Sequence, residues 1–176
     1  MASELVYLGL GGNLGDVYSR LQLAFSMLEA QKEAVSQLRI SHYYLTAPQY
    51  YESPHSFINA ACSFWTSLPP EKVFEMTQAI EKQLGKVNKA KNADRPIDID
   101  ILFYGHHACQ IDDLEIPHPR WKERLFVLVP LADLTEEILL EERNHIERYR
   151  IKDLIQPLKK NTELGISLLE KNPHFQ

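Results

Sequence analysis

Cysteine is nearly absent: only Cys62 and Cys109 occur in 176 residues, and neither belongs to a CxxC pair or a Cys/His cluster. A disulfide framework and a structural zinc site are therefore not expected. No uninterrupted apolar run approaches the roughly 20 residues of a membrane span. The opening stretch "MASELVYLGLGG" has no basic region followed by a long apolar segment, so no signal peptide is expected. Nor is there an excess of positive charge: the formal net charge is -5, which offers no broad field for nucleic acid. GxSxG and a Walker GxxxxGK[ST] are missing. The glycine-rich "GLGGNLG" fails GxGxxG because Leu14 stands at its sixth position. A cytoplasmic, soluble protein with no membrane and no nucleic-acid partner is the expectation.

Composition is otherwise ordinary, with 44% hydrophobic and 24% charged residues. Residues 1–176 read as one domain, with a core over about residues 5 to 135 and a charged tail, helical in pieces, beyond it. "LVYLGL" reads as a first strand, and Asp16 as the N-cap of a helix running to about Ala30. Val35 to Thr46 reads as a second strand and "FINAACSFWTSL" as a third. Pro69 and Pro70 open a helix in which Val73, Phe74, Thr77, Ile80 and Leu84 recur at helical spacing. "GKVNKAKNADR" has little to bury and reads as an exposed loop. "RPIDIDILFYG" then supplies another strand. The order strand–helix–strand–strand–helix–strand predicts a ferredoxin-like βαββαβ core: an α+β fold with helices packed on one face of a mostly antiparallel sheet.

The unusual feature is the pair Asp98 and Asp100. Side chains alternate along a strand, so both carboxylates share a face while Ile97, Ile99 and Ile101 take the other. Two such charges repel by about 3–4 kcal/mol at an effective dielectric near 20. Solvent, a shared proton, a basic partner or a bound cation must offset that. Oxygen ligands on one face suit Mg²⁺, which completes its octahedron with water and phosphate oxygens. Lys86, Lys89, Lys91 and Arg95 precede the pair, and His118, Arg120, Lys122 and Arg124 follow it. Such a cluster in an acidic protein suggests a polyphosphate held by metal and guanidinium groups. Asn59 sits in an apolar strand, where an amide suits the edge of a heterocycle. Phe57 and Phe126 could stack on such a ring, although composition alone favours core aromatics and a structurally satisfied Asn59.

Taken in order, "GLGGNLGD", "FINAA", "IEKQLGK", "RPIDIDILFYG" and "IPHPR-x-x-ER-x-FVLVPL" resemble 6-hydroxymethyl-7,8-dihydropterin pyrophosphokinase of folate biosynthesis. The resemblance implies transfer of pyrophosphate from ATP to the pterin's hydroxymethyl group, with release of AMP. It implies two Mg²⁺ ions on Asp98 and Asp100, with Arg95 and Lys89 assisting catalysis. Gln78, Glu81, Lys89, Arg95, His118 and Arg124 would bind ATP, and Thr46, Phe57, Asn59 and Phe126 would form the pterin pocket. The loop before Arg95 would be a mobile lid. Other folate-pathway enzymes are implied as partners, because the family is sometimes fused to them. The chain departs from the family pattern at Lys86 and Asn88, often arginine there, at Asp94, often small or proline, and at Ala47, often proline. A tryptophan common near Asn92 or Ala93 is also missing. A two-metal phosphodiesterase and a non-catalytic ferredoxin-like regulatory module are the alternative readings.

Overall fold

Apolar alternation along the strands decides how this chain folds, because it supplies two buried faces rather than one. The computed structural model describes residues 3–48, 54–86, 93–111, 114–161 and 165–169. In chain order the elements are β1 (Glu4–Gly12), α1 (Val17–Glu29), β2 (Ser36–Ile40), β3 (Tyr44–Thr46), β4 (Phe57–Thr66), α2 (Pro70–Gln83) and β5 (Asp98–Tyr104). They continue with β6 (Cys109–Ile111), β7 (Leu114–Ile116), a 3₁₀ turn (Trp121–Glu123), α3 (Leu125–Ala132), β8 (Glu137–Glu142), β9 (His145–Arg150), α4 (Ile151–Asn161) and β10 (Ile166–Leu168). The main sheet runs β10-β3-β4-β1-β5, with β2 also paired to β4, and the neighbouring strands are antiparallel.

This is the expected βαββαβ core with additions. On one face Val6, Leu8, Leu10, Ile99 and Ile101 pack against Leu21, Phe25 and Leu28 of α1 and Val73 and Ile80 of α2. Asp16 caps α1 as anticipated, its carboxylate accepting from Ser19 N–H at 3.1 Å. The other face is covered as well, which the reading of a single helical layer did not include. There Tyr7, Leu102 and Phe103 meet Val127, Leu128 and Leu131 of α3, together with Ile138, Leu140 and Ile151. A bulge in β5 makes this possible. Tyr7 pairs with Phe103 and Leu8 with Ile101, so Leu102 is the extra residue and both Leu102 and Phe103 enter the second core.

The expected second strand is likewise bent. Ile40 pairs with Cys62 and Tyr44 with Asn59, so three residues oppose two between these pairs. Buried Ser41 fills the break: its hydroxyl accepts from Ala61 N–H at 2.8 Å and donates to His42 O at 2.7 Å.

The tail needs correction, since it begins with a hairpin rather than helix. Ile138 and Leu140 are buried at a period of two, and Glu142 pairs with His145 across a two-residue turn. Arg143 and Asn144 both have positive φ, at 49° and 68°, as the mirror-image hairpin turn requires. The α4 helix follows, and β10 then pairs with β3 at the sheet edge.

Truncation in the second core tests its weight. Leu128→Ala, fully buried on the inner side of α3, is expected to cost about 2–5 kcal/mol, whereas Leu23→Ala on the exposed side of α1 should stay within about 0.5 kcal/mol. Urea unfolding of both variants measures the difference.

Candidate active site

The β1–β5 register places Gly11 opposite Asp98 and Gly9 opposite Asp100. Both aspartates therefore stand beside bare backbone, on the face that also carries α3. A cleft of about 880 Å³, counted out to its open mouth, lies over this face. It is lined by Gly9, Gly11, Arg95, Asp98, Asp100 and Arg124 at one end, and by Thr46, Phe57, Asn59 and Phe126 at the other. A side chain at Gly11 would run into Asn59 Oδ1, and one at Gly12 would meet the Pro96 carbonyl oxygen at 2.6 Å. The glycine block is thus the floor of the cleft as well as the turn into α1.

Charge at the first end is densely paired. Arg95 Nη1 bonds Asp98 Oδ2, and Lys86 Nζ bonds Asp98 Oδ1 at 2.5 Å. Lys86 also reaches Glu81 Oε1 at 2.7 Å. Burial pulls the Lys86 ammonium down, but its hydrogen bonds to Asp98 and Glu81 outweigh that and leave its pKa above the ordinary value. Glu81 is itself buried; burial pushes its carboxyl up against the opposing pull of Lys86 and of the Ile99 N–H, which donates to Oε1 at 2.6 Å. Asp100 is pushed up to about 6, by burial first and by the Asp98 charge second, while Arg124 pulls the other way.

Arg95 is held from behind. Asn13 Oδ1 accepts from Arg95 N–H at 2.9 Å, and Asn13 N–H donates to Arg95 O at 3.0 Å. The Asn13 amide also donates to Asp94 Oδ1 at 2.7 Å, so the unusual aspartate before the motif arginine belongs to this clamp. Arg124 precedes α3 and donates to His118 Nε2 at 3.1 Å. A guanidinium cannot accept, so that nitrogen carries the lone pair and the ring is neutral. Burial first, and Arg124 second, lower the His118 pKa to about 4.

At the other end Asn59 is 5% exposed and donates to Thr46 Oγ1 at 2.8 Å, which fixes the orientation of its amide. Phe57 and Phe126 are half-buried on the cleft wall, and the Arg124 guanidinium lies 5.6 Å from the Phe126 ring centre. Nine of the residues anticipated from sequence are brought to one place: Asp98, Asp100, Arg95, Arg124, Thr46, Phe57, Asn59 and Phe126 line the cleft, and His118 touches Arg124. Glu81 is adjacent, but its carboxylate is committed to Lys86 and the edge of β5. Gln78 is exposed on α2 and does not line the cleft. Lys89, with residues 87–92 of the expected lid, lies outside the described residues. The double pairing of Lys86 and the Asn13 clamp were not read from sequence. Asn13 carried a weak signal, as a polar residue inside a glycine turn.

Comparison with known proteins shows the family. The profile of 7,8-dihydro-6-hydroxymethylpterin-pyrophosphokinase (HPPK) matches residues 7–136. The chain belongs to the HPPK family. It is 42% identical over 134 residues to the 2-amino-4-hydroxy-6-hydroxymethyldihydropteridine pyrophosphokinase of Porphyromonas gingivalis, covering 74% of this chain and 90% of that one. The Bacillus subtilis protein of the same name is 38% identical over 136 residues, covering 77% and 81%. A solved HPPK-DHPS chain from Plasmodium falciparum superposes with a TM-score of 0.64 over 91% of this chain at 16% identity, a likeness of fold. This chain spans 44% of that longer one. The HPPK chain described here is thus a pyrophosphokinase enzyme of folate biosynthesis.

The neutral His118 gives a pH signature. The folded pKa lies below the ordinary 6.5, so the unfolded chain binds more protons between about pH 6.5 and 4 and stability falls as pH drops through that window. In His118→Gln, whose amide oxygen also accepts from Arg124, that part of the fall should vanish. Thermal unfolding of both proteins from pH 7 to 4 checks it.

Proposed function

We propose that this enzyme transfers the terminal pyrophosphoryl unit of ATP to the hydroxymethyl oxygen of 6-hydroxymethyl-7,8-dihydropterin and releases AMP. The observation that carries the reading is one cleft with two chemically distinct ends. A carboxylate pair flanked by cations faces a buried amide flanked by two aromatic rings. The relatives' names supply the acceptor, and the charged end suits a triphosphate.

Asp98 and Asp100 are the residues that would hold Mg²⁺. Their chemistry fits: hard oxygen donors share one face, and Asp100 is destabilised as an anion by burial and by Asp98, a cost that a cation relieves. Among the described residues no cluster of three or more His, Cys, Asp or Glu ligands exists, so phosphate oxygens and water would complete the coordination of two ions. When bound, the metal neutralises phosphate charge and polarises the transferred group.

The protein's own groups do the rest. Arg95, its backbone fixed by Asn13, and Arg124, fixed by His118, bring guanidinium groups to the end of the cleft that carries the aspartates. There they hold phosphate oxygens and stabilise charge that grows as the reaction proceeds. Gln78, Glu81 and Lys89 are assigned to the ATP side by the same family likeness. Asn59 reads the pterin edge, Thr46 orients Asn59, and Phe57 and Phe126 stack on the ring. The pterin hydroxymethyl oxygen then forms a bond to the β-phosphorus and gives up its proton to solvent, the bond from that phosphorus to the oxygen shared with the α-phosphorus breaks, and AMP leaves with the electron pair. Positioning the two substrates end to end is the main contribution.

The deciding experiment measures AMP and ADP formed from ATP and Mg²⁺, with and without the pterin. Pterin-dependent AMP without ADP is the expected result; AMP formation that ignores the pterin, or none from folded protein, overturns the proposal. Asp98→Ala should lower kcat by about 10³-fold or more while the far-ultraviolet circular dichroism is retained. Asn59→Ala should weaken pterin binding far more than ATP binding, and calorimetric titration with each substrate separates the two.

A further inference from the structure

Asp133 ends α3, where a carboxylate faces the negative pole of the helix rather than the positive one. Its surroundings show what offsets this placement. Tyr44 Oη donates to its two oxygens at 3.1 and 2.9 Å. The His42 backbone N–H donates to Oδ2 at 3.0 Å, and His42 Nδ1 lies 3.1 Å from the same oxygen. The bulge between Ile40 and Tyr44 releases that N–H from the sheet ladder, and Asp133 satisfies it. One carboxylate therefore binds two residues of the segment that leads into Thr46.

What lies on either side gives the contact its meaning. Tyr44 and Thr46 share a face of β3, and Tyr44 pairs directly with Asn59. The α3 helix carries Phe126, and Arg124 precedes it. Thr46, Asn59 and Phe57 thus form one wall of the acceptor end and Phe126 the other, while Asp133 itself does not line the cleft. A second tie, Arg39 Nη1 to Leu134 O at 3.1 Å, joins the same end of α3 to β2.

We infer that Asp133 is a positioning residue for the acceptor substrate: by gripping Tyr44 and His42 it sets the gap between β3 and α3 into which the pterin ring enters. The inference rests on the pterin reading of this cleft. A flat ring held between walls is sensitive to their spacing, since opening a contact by about 0.5–1 Å forfeits a quarter to a half of its dispersion attraction. The triphosphate end is set by the β1–β5 register and the Asn13 clamp, and its residue next to α3, Arg124, stands at the opposite end of that helix from Asp133 and is held by His118.

Tyr44→Phe, Asp133→Ala and Asp133→Asn test it, with KM for each substrate, kcat, and pterin Kd from the ligand's own fluorescence. Tyr44→Phe and Asp133→Ala are expected to raise pterin KM and Kd by about tenfold, with ATP KM changed by less than about twofold. Asp133→Asn, whose carbonyl oxygen still accepts from Tyr44 and His42 N–H, should recover most of the loss. Both KM values rising together, or a lower Tm with both unchanged, would overturn the inference. If Asp133→Ala does not fold, folded Tyr44→Phe decides: an unchanged pterin KM sinks the idea. A wild-type protein that binds no pterin removes the pterin reading and the inference with it; a binding wild type with indistinguishable variants removes the inference alone.

Discussion

Asp98 and Asp100 can share a strand face because β1 offers them glycine. Gly11 and Gly9 stand opposite them, so no side chain crowds the carboxylates from the neighbouring strand and the cleft reaches the backbone. That register also decides which residues become core. Ile99 and Ile101 go under α1 and α2, and the bulge at Leu102 sends Leu102 and Phe103 under α3. The same strand thus serves as site at one end and core at the other, and shifting it by one residue would exchange the two faces.

Electrostatics at that end form a set rather than a series of pairs. Glu81, Asp98 and Asp100 are three carboxylates within reach of Lys86, Arg95 and Arg124. Of the pair, Asp98 has two cationic partners, whereas Asp100 is raised by burial first. In a partly buried setting these attractions are screened less than at the surface, so charged ligands meet groups already oriented. Asn13 and His118 supply that orientation, each bonding the backbone or side chain of an arginine without adding charge. The lysine at position 86 behaves as a point charge shared by two carboxylates, a role that does not need a planar guanidinium.

Much of this was legible in sequence. Alternation exposed the Asp pair, helical spacing located α2, and the order of elements indicated the ferredoxin-like core. Three features were not legible, each for a physical reason. The second covered face depends on a bulge at Leu102, and one extra residue inside an apolar run leaves no compositional trace. The β8–β9 hairpin was hidden because charged residues outnumber apolar ones there; its signal was Ile138 and Leu140 two apart before a turn at Arg143 and Asn144, without the glycine that usually marks one. The exposure of Gln78 follows from its helical phase, about 100–160° round α2 from the buried Val73, Thr77 and Ile80, while Glu81 turns inward to cap the free edge of β5.

The two ends of the cleft are built by different means, and that separates their tolerances. The charged end rests on strand register, which changes only in whole residues. The acceptor end rests on the distance between a short strand and a short helix, which can vary continuously. β3 has three residues and is bounded by a bulge on one side, so its own ladder constrains it weakly. It is nevertheless held by β10 at the sheet edge, by β4 through the Asn59–Thr46 bond, and by α3 through Asp133. Three ties exceed what the ladder of a three-residue strand supplies by itself. They fit a segment whose placement must be reproduced closely, because a planar substrate gains its contact energy only when both walls are in reach.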